Sequence, residues 1–162
     1  MARKMKRTRG RRARVAFGGL VNSFVRTISN TTYIILTIGF LIGFEKRTEL
    51  TAALVKILTK LHMTVIAAWV KSNPIKAVGI MYSATTAIAV VPSAIAMSTA
   101  ILISAVVYAL PAPETATQVE YIGLVLLSVW AARTRSIKIR ASILALSISL
   151  YAYGLWGTTL LA

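Results

Sequence analysis

Residues 77–110 form a stretch of thirty-four positions without one charge. A hydrocarbon core about 30 Å thick takes about 20 helical residues to cross. As one helix this run would be roughly 51 Å long at ~1.5 Å per residue. That is long for one crossing and short for two. Pro92 sits at its centre, in Val91-Pro92-Ser93. Proline removes a helical hydrogen bond and crowds the preceding turn, so the run is expected to break or kink there. Further apolar helices are expected over about 27–44, 117–132 and 141–162. The last has 22 uncharged residues, enough for one crossing.

Residues 45–71 follow another pattern. At 100° per residue, Glu45, Glu49, Lys56, Lys60 and Lys71 share a sector of about 80°, with Leu50, Leu54, Leu58, Leu61, Val65 and Trp69 opposite. This predicts one amphipathic helix over about 50–70, with a basic stripe of Lys56, Lys60 and Lys71. Such a helix lies flat with its lysines among head groups, or spans with the stripe turned to a bundle or wet path. Ser72-Asn73-Pro74 ends it. His62 falls on the apolar side, where packing is the ordinary use of a lone histidine.

Small residues recur at helical spacing in the apolar runs. Gly39 and Gly43 form one pair. Gly79, Ser83 and Ala87 form a ladder, and Ala96, Ala100 and Ser104 another. These patterns let helix backbones approach closely. The expected fold is all-α: a polytopic helical membrane protein with about five crossings, a single membrane domain over 27–162 and a basic arm and transition over 1–26.

Composition strengthens this picture. The 162 residues are 57% hydrophobic and only 14% charged, and the excess apolar surface needs lipid to face. Charge is lopsided, with 19 Lys and Arg against 4 acids and a net charge of +15. Arg3, Lys4, Lys6, Arg7, Arg9, Arg11, Arg12 and Arg14 crowd the first fourteen positions. An arm this basic, without apolar periodicity, is expected to be disordered alone and to bind a polyanion, either nucleic acid or anionic lipid. Eight cations exceed what a topogenic anchor requires, and the Arg fork suits phosphate. Residues 1–44 contain no acid, which also fits a mitochondrial transit peptide.

Arg133, Arg135, Lys138 and Arg140 form a second basic cluster. Loops rich in Lys and Arg stay on the cytoplasmic side, so the arm and this cluster should share a side, with the acidic 111–120 loop opposite. Tyr108 and Tyr121 are expected to act as interface anchors around that loop. Two arrangements meet the charge rule. In one, the amphipathic helix spans and 77–110 crosses once, kinked at Pro92. In the other, the amphipathic helix lies flat and 77–110 is a hairpin. The lack of Gly, Asn or a polar cluster at 91–93 favours the first.

Chemistry is sparse. There is no cysteine, one histidine and no aspartate. No phosphate-binding glycine loop, triad or metal-ligand spacing occurs, so neither enzyme activity nor a metal or other cofactor is expected. Glu45 and Glu49 read as a solvated helix start, and no glutamate is expected inside an apolar helix. The best reading is a structural membrane protein that packs laterally, as a homo-oligomer or within a larger assembly, and holds a polyanion with its arm. A virion membrane or capsid-lining protein has this layout, in a virion or cell membrane with the N-terminus inside. The alternatives are an accessory subunit of a larger membrane complex and a holin-like pore.

Overall fold

The computed structural model describes residues 18–112 and 118–154, and the chain is all-α across them. Eight helices follow one another: α1 (Gly18–Ile28), α2 (Thr31–Glu45), α3 (Arg47–Lys60), α4 (Thr64–Ser72), α5 (Pro74–Val90), α6 (Ser93–Ala109), α7 (Gln118–Arg133) and α8 (Ile137–Ala152). Local chemistry fixes several boundaries. The Asn30 side chain accepts a hydrogen bond from the Tyr33 N–H at 3.0 Å and caps α2. α1 and α2 bend by 52° across this cap. Pro74 opens α5, where its missing N–H has no helical partner to lose.

Helices α2, α5, α6, α7 and α8 form a bundle of alternating direction. Lys76 at the start of α5 donates to the Tyr108 carbonyl at the end of α6, 3.1 Å away. Gln118, opening α7, donates to the Glu45 carboxylate closing α2 at 2.7 Å. At mid-height Thr37 of α2 bonds the Tyr82 hydroxyl of α5 at 2.9 Å. The bundle therefore has two ends. One carries Glu45, Lys76, Tyr108 and Gln118, and the other carries the α5–α6 and α7–α8 turns.

This geometry corrects the expected course of 77–110. The run is two antiparallel helices, not one kinked rod. Val91 (φ −82°, ψ 146°) and Pro92 (φ −53°, ψ 136°) are both extended, and two such residues in a row reverse the chain. Proline drives its predecessor out of the helical region, so no glycine is needed.

Residues 45–71 are likewise two helices. The break is a left-handed residue, His62, with φ 58°. The Met63 N–H reaches the Leu58 carbonyl at 2.9 Å and the His62 N–H reaches that of Thr59 at 3.1 Å. This is a Schellman closure with histidine where glycine is usual. α3 and α4 fold back on each other as a hairpin packed against α5. Lys56 and Lys60 are thus on one helix and Lys71 on another, so no single continuous stripe exists.

Helix α7 is the centre of the bundle. It contacts α2, α5, α6 and α8, and Phe24 of α1 meets Trp130 edge-on at 5.0 Å. Tyr121 is fully enclosed, with the rings of Phe40, Phe44 and Tyr151 at 6.1, 6.3 and 5.7 Å. It is therefore a core residue and not an interface anchor, whereas Tyr108 is exposed. Buried Ser147 of α8 donates to the Leu124 carbonyl of α7 at 3.1 Å, tying the two together. No single helix among the described residues is long and apolar enough to cross a membrane. The bent α1–α2 pair passes by length and composition.

Candidate functional site

At the end of the bundle where α7 hands over to α8, the chain gathers arginines. Arg133 closes α7, and Thr134, Arg135 and Ser136 form the turn. α1 lies across this turn. The Arg133 guanidinium donates to the Arg26 carbonyl at 3.4 Å, across 107 positions of sequence. Between α1 and the turn is a cavity of about 790 Å³ whose lining includes Arg26, Arg133, Arg135, Asn22 and Ser23.

Among the described residues no acid lines that cavity. The buried carboxyl of Glu120 lies thirteen residues up α7 from Arg133, roughly 20 Å at ~1.5 Å per residue. Charge is thus sorted along the central helix. Arg140 is used differently from its neighbours. Its Nη2 donates to the Thr134 carbonyl at 2.8 Å and reaches that of Ala132 at 3.5 Å, which caps the last carbonyls of α7. Arg133 and Arg135 line the cavity, Lys138 and Arg140 do not, and Arg26 joins from a helix that the sequence alone did not connect to this cluster.

The other expected site residues fall out as follows. The arm residues Arg3, Lys4, Lys6, Arg7, Arg9, Arg11, Arg12 and Arg14 lie outside the described residues. Lys56, Lys60 and Lys71 are exposed on the α3–α4 hairpin. Gly79 is buried with the Tyr121 ring standing where a side chain would be. Ser83, Ala87, Ala96 and Ala100 are buried and Ser104 is half-buried. Gly39 is exposed with open space at its Cβ position, and Gly43 meets only Leu50 at 3.0 Å, so this pair admits no other bundle helix.

Glu120 is a correction. Read as part of an acidic loop, it is instead fully buried in the first turn of α7, close to the Tyr151 phenol. Its one sequence signal was its place directly before an apolar run. Among the described residues no three His, Asp or Glu side chains come together in a way that could hold a metal ion. The Thr85, Ser98 and Thr99 hydroxyls bond carbonyls of their own helices. The chain matches no protein-family model, no curated protein and no solved structure.

Proposed function

We propose that this chain is a non-enzymatic integral membrane protein that packs as a helical bundle and presents a basic end to a polyanion. The observation that carries the reading is an end of the bundle where, among the described residues, cations gather without an acid beside them. Arg26, Arg133, Arg135, Lys138 and Arg140 gather at or beside the α7–α8 turn, far from Glu45, Glu49 and Glu120, whereas at the opposite end and on the α3–α4 hairpin those carboxylates mix with Lys46, Arg47, Lys56, Lys60, Lys71 and Lys76. The arm adds eight further cations by sequence, just before α1. A bundle with one strongly basic end is oriented in a bilayer by the positive-inside tendency.

The outward faces support the membrane part. Ile34, Ile35, Ile38 and Ile42 line the outside of α2, and Met97, Ile101 and Leu102 that of α6. Contiguous apolar faces of this kind need lipid or a partner. The bundle helices have 15 to 17 residues, just below or at the lower limit for a crossing, which a locally thinned bilayer accommodates. The alternation of α2, α5, α6, α7 and α8 favours five crossings with 77–110 as a hairpin and the α3–α4 hairpin outside the bundle.

The test is co-flotation of neutral vesicles with duplex DNA over a salt series, comparing the full chain with one lacking residues 1–14. DNA should float only with the arm and be lost steeply as salt rises, through counterion release. Binding that ignores salt, or DNA that stays behind at low salt, overturns the polyanion part. The exposed α3–α4 hairpin favours a second reading, an accessory subunit. That reading requires recovery in fixed ratio with larger subunits in mild detergent.

A further inference from the structure

We infer that the cavity between α1 and the α7–α8 turn is a binding site for the phosphate of an anionic phospholipid, held by Arg26, Arg133 and Arg135. The inference rests on the membrane reading and adds a ligand to the basic end that is independent of the arm.

Three arginines line one cavity, and among the described residues no acidic residue joins them there. Like charges so gathered repel unless an anion joins them, and the planar Arg fork matches phosphate oxygens two at a time. Arg133 is held in place by its bond to the Arg26 carbonyl, which uses one of its five donors and leaves the rest. Asn22, Ser23 and Ser136 add neutral polar groups to the wall. Ser136 also precedes α8 without capping it by its side chain, so first-turn N–H groups of a 16-residue helix open at the rim. A volume near 790 Å³ is in the range of small-molecule sites and suits a glycerophosphate head group.

The surroundings select a lipid over free phosphate. Leu20 and Ile139 form the apolar part of the wall. Beside them Val21 and Val25 on α1 and Ile137 on α8 are exposed, the last at 79%. A phosphate ester with acyl chains satisfies both parts at once, and inorganic phosphate satisfies only the first. Basic pockets between membrane helices on the positive side are suited to such head groups.

The experiment reconstitutes the full chain in vesicles of phosphatidylcholine with a minor share of phosphatidylglycerol. It is then extracted in mild detergent, and the retained lipid is counted by native mass spectrometry. Phosphatidylglycerol should be retained over phosphatidylcholine by about tenfold or more, the effect of one charge-assisted contact. The selectivity should survive removal of residues 1–14 and the double change Lys56→Gln/Lys60→Gln. It should fall about threefold in Arg135→Gln, whose side chain is exposed and donates no hydrogen bond among the described residues, and vanish in Arg26→Gln/Arg133→Gln/Arg135→Gln. Equal retention of both lipids, or selectivity lost only with the arm, overturns the site. Displacement of the lipid by inorganic phosphate overturns the lipid assignment in favour of a free-phosphate site. A chain that floats with neutral vesicles yet shows no selectivity fails this inference alone, and a chain that does not float fails the membrane reading with it.

Discussion

From Gln118 to Arg133, α7 has no exposed residue, whereas from Lys56 to Ile66 the α3–α4 hairpin exposes every residue but Leu58. Both stretches are rich in apolar side chains, and α7 carries one charge in its first turn and one in its last. The difference lies in what can be covered. In α7 the charges sit near the ends, and Gly123, Ser128, Ala131 and Ala132 let neighbours close in on every side. In α3, Arg47, Glu49, Lys56 and Lys60 spread over four turns, so no ring of helices can enclose it. Ile57 in α3, Leu61 at its end, and Met63, Val65 and Ile66 beyond the turn leave much of their apolar surface uncovered. Lysine stems beside exposed apolar groups suit a head-group boundary.

The contrast can be tested by substitution. The chain has no cysteine, so an introduced thiol reports alone. In detergent, Val65→Cys, at a site 82% exposed, should react with a small thiol reagent at the rate of a free thiol. Ser128→Cys, 2% exposed, should react slower by roughly a thousandfold, through opening of the bundle. Similar rates would mean that α7 is not enclosed. Gly79→Val should be the most damaging single change, at about 4 kcal/mol in a denaturation series, because the fully buried Tyr121 ring has no room to retreat. Leu124→Ala should cost about 3 kcal/mol by leaving a cavity beside α7, while Val65→Ala should stay within about 0.5 kcal/mol. A large loss at Val65 would show the hairpin tip to be covered. The smallest effect is at the hairpin turn, where His62→Gly should stabilise by about 0.5–1 kcal/mol by relieving a left-handed backbone.

The α-helical class and the approximate helix positions were legible because they follow from runs of apolar residues and from breakers such as Pro74 and Pro92. The direction of the chain after Pro92 was not. A kink and a reversal begin with the same proline, and the packing of α6 back along α5 decides between them. The turn at His62 was hidden for a related reason: Leu61-His62-Met63 contains neither glycine nor proline, and the folding of α4 onto α3 draws a histidine into the left-handed region. Glu120 illustrates the limit for polar groups. Its burial depends on α8 and α2 closing over the start of α7, which no local pattern encodes. The second basic cluster was visible, but its division was not. Arg140 turns to cap α7, and Arg26 arrives from a distant helix.

The pairing of chain neighbours has a kinetic consequence. α3 with α4, α5 with α6 and α7 with α8 are three successive hairpins, each closing a short loop, and such local contacts form quickly. The contact of Arg133 with Arg26 closes a loop of 107 positions and carries the larger entropic cost. The arginine cavity is therefore expected to be complete only after the hairpins have docked. A ligand that fills it binds the finished fold and not its precursors, so occupancy should slow unfolding of the whole chain as well as hold α1 in place.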